Sequence, residues 1–149
     1  MESAEMPERN ATFSRFGGKD TLIRDYRWWS VQARPQQATL GAMILLAHGP
    51  AQAFGDLPGG AHGELAQITH DIEAAVARFG NQKINYLMLM MVDPHVHFHV
   101  LPRYDKEVAF DGITFADPGW PAVPDLGHAP EAPDAAARVR AALQAGWPA

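Results

Sequence analysis

In the run His95-Val96-His97-Phe98-His99-Val100 imidazoles alternate strictly with apolar side chains. Successive side chains of a β-strand point to opposite faces, so this run places histidines on one face and Val96, Phe98 and Val100 on the other. The apolar face belongs against a core. The imidazole face then forms a polar row on a rigid support, where reacting groups hold their geometry best.

Three kinds of chemistry fit such a row. The plainest is a solvated strand face that happens to carry histidine. The second is a metal site, but neighbouring same-face positions stand ~6–7 Å apart and the outer pair ~13 Å apart. Zinc ligands converge at ~2 Å from the ion, so a metal would need partners from elsewhere in the chain. The third, and the favoured one, is nucleophilic catalysis at phosphorus. Neutral imidazole is a good nucleophile near neutral pH, its ordinary pKa being about 6.5. With Nδ1–H of His97 fixed by a backbone carbonyl, Nε2 is free to attack. His95 and His99 then reach phosphate oxygens and protonate the leaving group.

The rest of the chain sets the frame. Its 149 residues suit one domain with a single core. Cysteine is absent, which removes disulfides, thiolate catalysis and cysteine-based zinc sites and suits a cytoplasmic setting. The net charge of −5 argues against holding DNA or RNA through its phosphates. The longest apolar run, Tyr86 to Val92, is far short of the roughly 20 residues that cross a bilayer, so no membrane association is expected.

Short strands are predicted at 21–24, 28–33 and 42–47. A long amphipathic helix is predicted at 56–79, where Leu65, Ile68, Ile72, Val76 and Phe79 share a face. Strands at 83–92 and 95–101 follow, separated only by Asp93-Pro94. A small hairpin turns at Asp111-Gly112, and an alanine-rich helix spans 134–145. This order of elements is α+β: an antiparallel sheet, one long amphipathic helix and a C-terminal helix. Residues 1–12 are expected to form a flexible tail and 13–115 the domain proper. Residues 116–149 are expected to form a proline-rich segment and terminal helix packed upon it.

The stretch Pro94-His95-Val96-His97-Phe98-His99-Val100-Leu101-Pro102-Arg103 resembles the signature of the histidine-triad (HIT) superfamily. Upstream, Leu40-Gly41, the apolar strand to Ala47, His48, Asp56-Leu57 and the amphipathic helix follow the same order. The resemblance thus covers about residues 20–104 and is nearest to bacterial HIT-like dinucleoside polyphosphate hydrolases. It implies a nucleotide-binding α+β fold, a homodimer and hydrolysis or transfer at the α-phosphate of a dinucleoside polyphosphate or nucleoside phosphoramidate. By that likeness His97 forms the covalent nucleotidyl intermediate, with His95 and His99 positioning the phosphate and assisting the leaving group. No metal belongs to the histidines and no cofactor is tightly bound; a divalent cation enters only with the substrate.

Arg34, Asn85, His48 and Arg103 are the expected nucleotide-binding residues. Each has a plainer alternative: a surface arginine, a sheet-capping amide, a bystander histidine and a surface ion pair. Gly41-Ala42 stands where many members have Gly-His. Only Asp93-Pro94 separates the predicted strands, where members carry a longer phosphate-holding loop. That shortness favours the rival reading, a nucleotide-binding regulatory module with little turnover.

Overall fold

A computed structural model describes residues 7–149. Helix α1 (Ala11–Arg15) leads into β1 (Leu22–Asp25), β2 (Trp29–Ala33) and β3 (Met43–Ala47). Helix α2 (Gly59–Val76) continues as one 3-10 turn through Phe79, then come β4 (Lys83–Leu87) and β5 (His97–Arg103). The hairpin β6 (Val108–Phe110) and β7 (Ile113–Phe115) and helix α3 (Ala135–Ala145) complete the order. The class is α+β, as expected.

The first five strands form one antiparallel sheet in the order β1-β2-β3-β5-β4. β3, Met-Ile-Leu-Leu-Ala, is buried along its whole length, because both of its faces are covered. On one face Val31, Met43, Leu45, Val96 and Val100 meet Ile68, Ile72 and Val76 of α2 and Val139 and Leu143 of α3. Ile68, Ile72 and Val76 are fully buried, and each contributes roughly 1.5–3 kcal/mol. Asp71 of α2 is buried as well, although it is charged. It accepts hydrogen bonds from Tyr26 Oη at 2.6 Å and Gln67 Nε2 at 2.8 Å. Trp147 Nε1 donates to the same Tyr26 oxygen at 2.8 Å, tying the C-terminus to the central helix.

The opposite face of the sheet carries His97 and His99. Ile44 pairs with His99 and Leu46 with His97, so these four side chains share it. Phe13 packs on Ile44 and Leu46, with Phe16 beside it, and Leu126 lies over Leu101 and Ala42. The expected tail therefore needs revision over residues 7–12, while residues 1–6 lie outside the described residues. Arg9 pairs with Asp25 at 2.6 Å, Asn10 Nδ2 donates to the carbonyls of Ala47 and Gly49, and Thr12 is buried. These polar side chains have partners within the fold, which composition does not reveal.

Strand boundaries also differ, among them the start of β5, which is His97 and not His95. β4 ends at Leu87 rather than Val92, and residues 88–96 form a loop in which Met90 takes a φ of 52°. The pre-triad loop is thus long, and the argument for a low-turnover module from its shortness falls. In the other direction, β5 runs through Pro102 to Arg103. Its pairing with β3 ends at Val100, so the N–H that proline lacks faces no ladder partner on that side.

Candidate active site

The two histidines of β5 are held in opposite protonation arrangements by their neighbours. His97 Nδ1 lies 2.7 Å from the carbonyl oxygen of His95. A carbonyl only accepts, so Nδ1 carries the proton and Nε2 keeps its lone pair. His99 Nδ1 lies 3.2 Å from Arg34 Nε, which only donates, so here Nδ1 holds the lone pair and Nε2 the proton. The ring centroids are 5.1 Å apart. One imidazole therefore offers a nucleophile and its neighbour a hydrogen-bond donor.

Both rings line a cavity of ≈ 390 Å³ whose other walls include Phe16, Arg34, Asp93, Leu126 and the loop residues Leu89 to Val92. That volume lies within the range of small-molecule sites. The row is not the open pleat expected from the alternation. Phe16 stands with its ring centroid 5.4 Å from that of His97 and 6.0 Å from that of His99, and His97 is only 1% exposed. An imidazole shielded this way meets little competing water. Burial first, then the positive charge of Arg34 and the adjoining His97 ring, holds the pKa of His99 down to about 4, while Asp93 acts in the opposite sense. His99 is neutral across the physiological range.

The third histidine behaves differently. His95 precedes the strand, and its Nδ1 shares a 2.8 Å hydrogen bond with the Thr12 hydroxyl. Its main chain matters as much as its ring, since its carbonyl orients His97.

Of the residues expected to bind nucleotide, only Arg34 lines the cavity. Asn85 and Arg103 are bonded to each other, Nη1 to Oδ1 at 2.6 Å. Arg103 also forms a two-pronged ion pair with Asp117 at 2.7 and 3.1 Å. That pair is buried, so both residues brace the sheet against the 116–133 segment rather than face a ligand. His48 is buried at the end of β3 beside Asp25 and lines a different cavity of ≈ 530 Å³ with Pro50, Gln52 and Asp56. Burial lowers its pKa. Trp29 is turned into the core, its Nε1–H bonded to the Ala61 carbonyl at 2.8 Å, so it flanks no pocket.

Sequence reasoning missed Thr12, Phe16 and the 89–93 loop as parts of the site. The spacing of Phe13 and Phe16 was the signal for the first two, one helical turn of apolar residues inside a polar stretch. The loop gave none, because Leu87 to Val92 is uniformly apolar.

No protein-family model matches the chain, and no curated protein matches its sequence. Solved structures do match. A histidine triad protein from Marinobacter aquaeolei aligns over 95% of this chain and 96% of its own, at 22% identity and a TM-score of 0.69. A histidine triad (HIT) protein from Sinorhizobium meliloti aligns over 92% and 94%, at 20% identity and a TM-score of 0.67. A hypothetical histidine triad nucleotide-binding protein from Sulfolobus tokodaii aligns over 85% and 82%, at 10% identity and a TM-score of 0.63. The chain has the histidine-triad fold.

Proposed function

We propose that this histidine-triad fold carries out nucleotide hydrolysis or transfer at an α-phosphate, with His97 as nucleophile. The observation that carries the reading is the 2.7 Å bond from His97 Nδ1–H to the His95 carbonyl, with the same ring lining a cavity beside His99. That bond leaves the Nε2 lone pair for attack. It also stabilises the positive charge the ring acquires when Nε2 bonds to phosphorus.

In the first step Nε2 of His97 forms a bond to the α-phosphorus, and the bond to the leaving group breaks with its electron pair, the leaving group taking up a proton from His95 or solvent. In the second, water attacks phosphorus, the N–P bond breaks and its electrons return to the ring. The water proton passes to solvent. The product is a nucleoside monophosphate, or a transfer product when an acceptor replaces water.

The substrate is a dinucleoside polyphosphate or a nucleoside phosphoramidate. The nucleophile is an imidazole, so the reading calls for no resident metal, and a divalent cation enters only with a polyphosphate substrate. The fold of a Sulfolobus tokodaii protein described as nucleotide-binding supports the ligand class. A homodimer belongs to the same reading. β4 is an edge strand of the sheet, and Leu89, Met91 and Val92 beyond it are exposed apolar groups that a second copy would cover.

The test is mass spectrometry of protein quenched seconds after mixing with each substrate class, with and without chelator. A nucleotidyl mass on the peptide holding His97, resistant to chelator with the phosphoramidate and absent in His97→Ala, is the expected result. Turnover undiminished in His97→Ala would end the reading.

A further inference from the structure

Arg34 was expected to grip ribose or phosphate, yet three of its donors are already spent on the protein. Nε–H points at His99 Nδ1 (3.2 Å), and Nη1 donates to the Gln36 carbonyl (2.8 Å) and the Leu126 carbonyl (3.3 Å). Its backbone N–H donates to the Ala42 carbonyl at 2.9 Å, and its own carbonyl accepts from Gln37 Nε2 at 2.8 Å. A guanidinium anchored to two separate segments is not free to follow a ligand. It can hold a neighbour still.

We propose that Arg34 is a positioning residue: by donating to Nδ1 it fixes His99 as the Nε2–H tautomer, so that His99 serves as a neutral hydrogen-bond donor to a phosphoryl oxygen and not as the acid that protonates the leaving group. The role for His99 rests on the phosphoryl-transfer reading above; the tautomer does not. Protonating His99 requires a second proton on Nδ1, which would set donor against donor with Arg34 Nε–H.

The groups facing His99 are Arg34 from the end of β2, His97 on its own strand, Asp93 from the loop and the ring of Phe16 from the residue after α1. Only Asp93 favours a charged His99, and it is also paired with Arg15 at 3.4 Å. Arg34 thus does for His99 what the His95 carbonyl does for His97, with the opposite outcome. The leaving-group proton then comes from another source, His95 or solvent.

The test compares wild type, Arg34→Met and Arg34→Lys as full-length proteins. Two-bond ¹H–¹⁵N correlation spectra, without any nucleotide, read the tautomer and titration of each histidine. In wild type His99 is expected as Nε2–H and uncharged down to about pH 5. In Arg34→Met it should become a tautomer mixture titrating toward the ordinary value of 6.5, with Arg34→Lys in between. His97 signals should stay as they are in all three, which also checks that the variants fold.

In turnover, Arg34→Met should lower kcat about tenfold or more with little change in KM. The acid limb of its pH profile should move upward by a unit or more. A wild-type His99 found as Nδ1–H or titrating near 6.5, or an Arg34→Met spectrum unchanged at His99, overturns the tautomer assignment. The expected spectra with an unchanged kcat overturn the donor role. Absence of any nucleotidyl adduct in wild type would instead strike the phosphoryl-transfer reading, and the donor role with it, leaving the tautomer result independent.

Discussion

Asp117→Ala should be strongly destabilising although it lies outside the cavity that His97 and His99 line. The Asp117 carboxylate receives Arg103 Nε at 2.7 Å, Arg103 Nη2 at 3.1 Å and the Tyr104 N–H at 3.1 Å. The two side chains are 3% and 1% exposed, so water screens neither. Removing the carboxylate leaves a buried guanidinium with, among the described residues, Asn85 Oδ1 and the face of Trp120, 5.9 Å away. Breaking a buried pair from one side costs about 3–5 kcal/mol. In a chain of this size each kcal/mol lowers Tm by roughly 2–4 °C, so a drop on the order of 10 °C is expected. Calorimetry and urea unfolding read it. The double variant Arg103→Met/Asp117→Ala removes the stranded charge as well and should recover at least half of the loss. A loss below about 1 kcal/mol in Asp117→Ala would mean the pair is worth no more than an exposed one, and the bracing role would fall.

Because the fold holds His99 near 4 and the unfolded chain titrates near 6.5, its contribution to stability is complete above about pH 6.5 and is lost as pH falls toward 4. His99→Gln should therefore lose less stability than wild type over that interval, and superimposable acid unfolding curves would contradict this. Gly63 lies on the exposed side of α2 with open space around it, so Gly63→Ala should stabilise by about 0.5–1 kcal/mol. Gly80, past the end of that helix with a φ of 80°, should lose about 1–2 kcal/mol as alanine, and urea midpoints moving in the same direction for both would refute the contrast. Phe16→Ala should speed acylation of His97 by diethyl pyrocarbonate severalfold, since the ring beside it shields an imidazole 1% exposed; an unchanged rate would deny that role.

Much of this was legible in the residues. β3 announced itself as an unbroken apolar run, α2 through Ile68, Ile72 and Val76, and the β6–β7 hairpin through Asp111-Gly112, both of which take positive φ. The tautomer of His97 followed from asking what its Nδ1–H must meet. What stayed hidden depends on partners distant in the chain. Thr12 is polar and close to the terminus, and only folding brings it to His95, 83 residues away. Arg103 and Asn85 read as candidate ligand contacts until Asp117 arrives from an irregular segment. The true end of β4 was masked because Leu89 to Val92 are as apolar as a strand interior, yet Met90 turns the backbone there.

Helix α1 ties the segment around residue 10 to the candidate site. Its neighbours Arg9 and Asn10 latch it to β1 and the end of β3, and Thr12 and Phe16 then rest on the histidines themselves. A cleavable tag, a fusion joint or a trimmed start placed near residue 10 is therefore an alteration of the roof over the imidazoles. Histidine reactivities measured on differently begun versions of this protein will not be interchangeable.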